Sequence, residues 1–214
     1  MNTEVKRPVI ILGAGGHAKV VADVLKLTGY KVIGLVTPDE VEGSICFRIK
    51  VLGNDDVLDS YSVKEIFLAN GIGSLPRKNL RWNLAMKFKD KGFEFVQIIH
   101  PSATISSDVK LGRGAQIMAG SVIQSGSSVG DDTIINTGAN IDHDCIISKN
   151  CHLSPAVTLS GGVKIYEGAY IGTGTVVIQN ISIGSNSIVA AGSVIHKNIA
   201  ESITFIQRKT NINQ

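Results

Sequence analysis

Aromatic residues are scarce in this chain, 5% of 214 residues with one Trp. Charge is balanced as well, at a formal +3 with acidic and basic residues interspersed and no long basic run. That leaves nucleic-acid binding without support. No apolar stretch approaches a membrane span, and the opening residues do not read as a signal peptide, so no secretory leader is expected. Cysteine is limited to Cys46, Cys145 and Cys151, an odd count without metal-finger spacing. The expectation is a reducing, cytoplasmic setting with neither a disulfide framework nor a bound metal. Glycine is plentiful, with 23 residues, and 43% of the chain is hydrophobic. A narrow aliphatic interior with glycine- and asparagine-rich corners fits that profile.

The aliphatic residues are ordered. From Ile105 to Ile195 every sixth residue is Ile, Leu or Val, without a break. Two positions before each stands a second restricted site, from Ala103 through Cys145 and Cys151 to Ser193, held mainly by small residues. A period of six with two inward residues per unit suits neither an amphipathic helix nor a hairpin sheet. It suits short strands wound around a three-sided prism, with like residues stacking from coil to coil. Coils separated by roughly 4.8 Å would make a column about 25 Å tall.

Residues 1–98 follow another rule. Val9-Ile10-Ile11-Leu12 is an apolar run, Gly13-Ala14-Gly15-Gly16-His17 a turn, Ala18 to Leu27 a helical pattern, and Lys31 to Val36 a second strand. Together they read as a βαβ unit. Further strands are expected at Ile49–Leu52, Glu65–Ala69 and Phe93–Ile98, and helices at Asp55–Ser60 and Pro76–Lys91, giving a parallel sheet of four or five strands flanked by helices. His100-Pro101 marks the start of the column domain, taken as 99–197, and 198–214 is a polar tail or cap. The turn and helix also satisfy G-x-G-x-x-A. No acid closes the second strand at Leu35-Val36-Thr37-Pro38, however, and the domain is small. These features favour a phosphate-bearing small ligand over a dinucleotide, with a purely structural turn as the remaining alternative. His17, at the helix start, could meet a phosphate or a sugar hydroxyl, or simply pack under the sheet edge.

In the column, His143 falls two residues after an inward Ile, at an outward corner between Asp142 and Asp144. An imidazole with a carboxylate on one ring nitrogen is suited to general base catalysis through the other; a solvated surface histidine is the bland alternative. His152 lies nine residues on, half of an eighteen-residue coil, and should project from another side. The two could share a site only across neighbouring columns, as in a parallel homotrimer. Cys145 and Cys151 take inward positions and read as core.

The glycine turn, the His100-Pro101-Ser102-Ala103 boundary, the hexads, and Asn136-Thr137 followed by His143-Asp144 resemble bacterial sugar acyltransferases. These are the enzymes grouped with sialic-acid O-acetyltransferases and UDP-amino-sugar N-acetyltransferases of the bacillosamine type. The resemblance covers residues 8 to about 197. It implies an α/β, Rossmann-like N-terminal domain followed by a left-handed parallel β-helix. It implies His143 as catalytic base supported by Asp144. It implies acetyl-CoA contacts at His152, Gly161, Thr173 and Ala191, and a nucleotide-sugar held by Gly15, Gly16 and His17 with Asn136 near the sugar. The family's usual Gly-x-Pro-Ala ending is replaced by Thr204-Phe205-Ile206-Gln207-Arg208-Lys209. The function expected is transfer from acetyl-CoA to the amine of a nucleotide-linked sugar, with UDP as the expected nucleotide. O-acetylation of sialic acid or a related hydroxyl is the nearest rival. A zinc hydratase on the same column would need three convergent histidines, and a structural solenoid would need a flat ladder of one residue type; neither pattern is present.

Overall fold

The computed structural model describes residues 6–207. The chain divides into two units: the first runs to Pro101 and takes in Arg113–Gln116, and the second holds Ser102–Gly112 and the chain from Ile117 onward.

The first unit is built on strands β1 (Val9–Leu12), β2 (Val32–Val36), β3 (Ile45–Cys46), β4 (Ile49–Gly53) and β5 (Phe67–Asn70), in the order β3-β4-β2-β1-β5. Strands β4, β2, β1 and β5 run parallel, and β3 is an antiparallel edge. Helix α1 (Gly16–Leu27) buries Ala18, Val21, Ala22, Val24 and Leu25, a helical-period stripe. On the core formed with helix α2 (Leu80–Asp90), Ile10, Leu12, Val36, Leu68, Ala85, Phe88, Phe93 and Phe95 are packed together. Phe88 and Phe93 meet edge to face with centroids 6.0 Å apart.

Three sequence expectations shift. Phe93–Ile98 is not a sheet strand. Its aromatics are spent on the core, a single bridge joins Leu68 to Phe95, and a two-residue strand, β6, forms only at Ile98–Ile99. Asp55–Ser60 is a 3-10 turn opened by the Asn54 side chain, which accepts from Asp56 N. Helix α2 begins at Leu80 rather than Pro76, behind a short bridge from Leu75 to Lys78.

The second unit is the column. Up to Ile195 its two-residue strands pair in parallel at an offset of eighteen residues, as in Ile123↔Ile141, Ile141↔Leu159, Leu159↔Val177 and Val177↔Ile195. Each coil donates backbone N–H groups to the next, as Val122 N does to Ala139 O at 2.9 Å. The hydroxyls of the second inward row satisfy corner carbonyls from inside. Ser127 Oγ donates to Asp142 O (2.9 Å) and Thr133 Oγ1 to Ser148 O (2.7 Å). Cys145 and Cys151 occupy the same row, buried, with Sγ on Ser160 O and Tyr166 O. Burial pushes their thiols up, to about 11 and about 12.

A third period runs through the corners. Every sixth residue from Gly114 to Gly192 has a left-handed backbone, and the sequence fills these sites with Gly, Asn or Asp apart from Ala156. Past Ile195 the chain lies across the end of the column. Thr204–Phe205 pairs with Ile188–Val189, and Asn198 Oδ1 accepts from Ser182 N. Arg208 and Lys209 lie outside the described residues.

Replacing one inward residue should cost far more than replacing its outward neighbour. Ile165→Ala is expected to lower stability by about 2–5 kcal/mol, and Lys164→Ala by less than about 0.5 kcal/mol, as read by urea denaturation.

Candidate active site

His143 and Asp144 stand at the column edge between the strand ending at Ile141 and the one beginning at Ile146. The His143 Nδ1 to Asp144 Oδ2 distance is 2.8 Å, with both side chains open to solvent at 63% and 71%. The other flanking acid has a different partner: Asp142 Oδ1 accepts from the His143 backbone N–H at 2.8 Å. Asp144 therefore orients the ring and Asp142 the backbone beneath it. A carboxylate accepts only, so Nδ1 carries a proton, and in the neutral ring Nε2 holds the lone pair. The Asp144 hydrogen bond, helped by the charge on Asp142, holds the imidazole pKa above its ordinary value.

Two glycines make room for this pair. One coil above, a Cβ on Gly161 would come within 2.6 Å of the His143 ring atoms Cε1 and Nε2. One coil below, a Cβ on Gly126 would overlap Asp144 Oδ1. Asp144 itself sits at φ 59°, a left-handed corner that aspartate tolerates better than most residues. Gly126 N–H and Ser125 Oγ in turn donate to Asp108 Oδ2, at 2.7 and 2.8 Å. The lining of this edge is thus set by offsets of eighteen, which sequence reasoning did not use for Gly126.

The remaining column residues lie elsewhere. Asn136, Thr173 and Ala191 are on another edge, where Gly192 N donates to Thr173 O and Asn136 Oδ1 accepts from Thr137 N. Thr173 and Ala191 are exposed. His152 is on the strand His152–Leu153, in register with Ile134 and Tyr170. It is 7% exposed and its ring stacks on Tyr170, centroids 5.0 Å apart and nearly parallel. One chain therefore gathers His143, Asp144 and Gly161, but not Asn136, Thr173, Ala191 or His152.

In the first unit, the glycine turn follows the carboxyl end of β1. Gly13 has φ 97° and lies close to Ile72, and Gly71 is pressed between Ala18 and β1, so these two glycines serve packing. Gly15 and Gly16 differ: a Cβ on either would meet nothing within 4 Å. Their open face lies at the α1 N-terminus, where no side chain caps the helix and the first helical bond is Lys19 N to Gly15 O. Uncapped N–H groups beside two open glycines suit an anion. His17 Nε2 is 2.7 Å from Gln116 Oε1, a partner that sequence reasoning missed. Burial, then the Arg81 charge, push the His17 pKa down to about 4 against the raising effect of the Gln116 bond.

Among the described residues no group of three His, Cys, Asp or Glu is arranged to hold a metal ion, and no helix is long and apolar enough to cross a membrane.

Residues 8–88 match the PglD N-terminal domain family. Over 91% of each chain, the protein is 40% identical to the perosamine N-acetyltransferase of Caulobacter crescentus, solved with CoA and GDP-perosamine, with a TM-score of 0.84. It is 34% identical to the acetyltransferase domain of PglB from Neisseria gonorrhoeae in complex with acetyl coenzyme A, covering 91% of this chain and 93% of that one, TM-score 0.84. WeeI from Acinetobacter baumannii shares the fold at 21% identity, TM-score 0.81, over 91% of this chain and 94% of that one. No curated protein matches the chain.

The electrostatic pairing has a direct readout. An NMR titration should place the His143 pKa above that of an ordinary histidine, and Asp144→Asn should move it down. Gly161→Ala should displace the ring and shift its resonances while the column remains folded by circular dichroism.

Proposed function

The chain belongs to the bacterial sugar acetyltransferases built on a left-handed β-helix, enzymes that draw on acetyl-CoA, and from that premise we propose that its acceptor is the amine of a nucleotide-linked 4-amino sugar. The observation that carries this reading is the exposed His143–Asp144 pair seated on Gly161. In its neutral form the ring offers Nε2 as the proton acceptor at the column edge. The sugar is GDP-linked in the relative at 40% identity, whereas the sequence expectation was UDP. Both belong in the first assay.

The chemistry is a direct transfer. The sugar amine gives a proton to His143 Nε2 as its nitrogen attacks the thioester carbonyl. The new C–N bond forms, the C–S bond breaks, and the proton held on the imidazole leaves with the CoA thiolate. Asp144 stabilises the imidazolium through Nδ1. The first unit supplies the nucleotide site: the α1 N–H groups beside Gly15 and Gly16 meet the phosphates. Acetyl-CoA lies along the edge marked by Thr173 and Ala191, with His152 contributing from the adjoining face and Asn136 near the sugar.

Within one chain the His143 edge and the Thr173–Ala191 edge are a third of a coil apart in sequence phase. A homotrimer of parallel columns would set one edge of each chain against the other edge of its neighbour, three times over. Acetylation would take place in the cytoplasm, where acetyl-CoA is made. A general base would serve a sugar hydroxyl as well, and the amine is preferred because the relative at 40% identity is an N-acetyltransferase.

The activity is tested by incubation with acetyl-CoA and a panel of GDP- and UDP-4-amino sugars, scored by mass gain and free thiol. His143→Ala should lower kcat by about 10²–10⁴-fold with the fold intact, and Asp144→Ala by less, since the base remains. Wild-type turnover in His143→Ala at neutral pH would remove the base from the mechanism.

The two ligands should respond to separate substitutions. Gly15→Val places a branched side chain in the open space at the helix start without backbone strain, because Gly15 has an ordinary φ of −81°. It should raise KM for the nucleotide-sugar and leave KM for acetyl-CoA nearly unchanged. Ala191→Tyr should do the reverse. Calorimetry of each variant with each ligand checks the division.

A further inference from the structure

His17 stands at the end of a hydrogen-bond chain whose direction follows from which atoms can only accept. The Asn70 carbonyl accepts from Arg81 Nη1 at 3.1 Å, and the Gln116 amide reaches the same oxygen at 2.8 Å. A carbonyl cannot donate, so the Gln116 atom facing it is the nitrogen. Oε1 then faces His17 Nε2 at 2.7 Å. An amide oxygen cannot donate either, and Nε2 therefore carries the ring proton. The chain is held rigidly. Gln116, Asn70 and Arg81 are 1%, 2% and 4% exposed. The Asn70 side chain is pinned at both ends, accepting from Ile72 N and donating to Arg81 O. Arg81 Nη1 also donates to Ile72 O at 2.6 Å. His17 remains half-buried, and among the described residues its Nδ1 makes no hydrogen bond.

We propose that Gln116 is a positioning residue that locks His17 in the Nε2–H form, so that Nδ1 meets the substrate as an acceptor and selects a hydrogen-bond donor, a hydroxyl or an ammonium group, in place of a phosphate oxygen. This rests on the reading of the glycine turn as the nucleotide-sugar site and sharpens it. Phosphate oxygens need donors, and the uncapped α1 N–H groups provide them; His17 then reads what those groups cannot. The low His17 pKa agrees in sign, since a ring that stays neutral at neutral pH keeps its acceptor nitrogen. The cation that faces it, Arg81, opposes a second ring proton. Replacing Gln116 by Ala removes the lock and leaves Arg81 on the Asn70 carbonyl.

The test is long-range ¹H–¹⁵N NMR of the imidazole groups in the full chain, with His17→Ala assigning the signal. Free protein at neutral pH should show Nε2 protonated and Nδ1 bare, and Gln116→Ala should give a mixture of tautomers. The same variant should raise KM for the nucleotide-sugar by about 3- to 10-fold, the loss of one neutral hydrogen bond, with kcat nearly kept. Two ligand arms identify the donor. A response of Nδ1 to GDP or UDP alone points to a ribose hydroxyl, and a response only to the amino sugar nucleotide points to the sugar; either supports the proposal. A proton on Nδ1, in the free protein or on adding nucleotide, overturns it. So does an unmoved Nδ1 signal when calorimetry shows the ligand bound. If neither ligand binds, the nucleotide-sugar reading of the turn fails, while the free-protein tautomer still decides the lock.

Discussion

The stacking of identical inward positions at intervals of eighteen residues is the constraint on which everything else in the column depends. Because Ile141 pairs with Leu159 and Leu159 with Val177, every outward residue also finds its neighbour at plus or minus eighteen. The interior thereby fixes the exterior. An exposed histidine on a loop would sample many rotamers, but His143 rests on the backbone of Gly161 and against Asp144, which itself fits over Gly126. Two missing Cβ atoms, one in the coil above and one in the coil below, make a solvent-exposed pair a defined one.

The same constraint separates the candidate site residues. Those near the base occupy one edge, and those matching the acetyl-CoA contacts occupy another. On the proposed roles, base and acetyl-CoA edge lie on different sides of a single column, and a second column is the simplest way to join them. His152 is the exception, buried and stacked on Tyr170, so its contribution is tied to the position of that ring.

Much of this was legible in the sequence, and the gaps have physical causes. The row from Ile105 to Ile195 revealed the column because all its members are aliphatic. The corner row was harder to see, because Gly, Asn, Asp and Ala156 all take the left-handed conformation there and share no hydropathy signal. Phe93–Ile98 looked like a strand because its aromatics suit one, yet Phe93 and Phe95 are claimed by the core under α2. Edge strand β3 has only two residues, too few to give a pattern. Gln116 was unremarkable in the hexad, an outward polar residue between two inward ones, and its bond to His17 joins positions 99 apart in sequence. Gly161 was associated with the cofactor by resemblance. Counting one coil on from His143 would have given its second role, as the seat of the ring.

The most direct test of the assembled site is subunit mixing. His143→Ala and Ala191→Tyr proteins are unfolded together, refolded at equal concentration and assayed at an acetyl-CoA level low enough that each pure assembly is nearly inactive. If the base of one chain works with the cofactor edge of its neighbour, about a quarter of the interfaces in random trimers join an intact His143 to an intact Ala191 edge. Acetyl transfer to the amino sugar should then return to about that fraction of the wild-type rate. A mixture as inactive as its two parents would contradict the account and place the whole site within one chain.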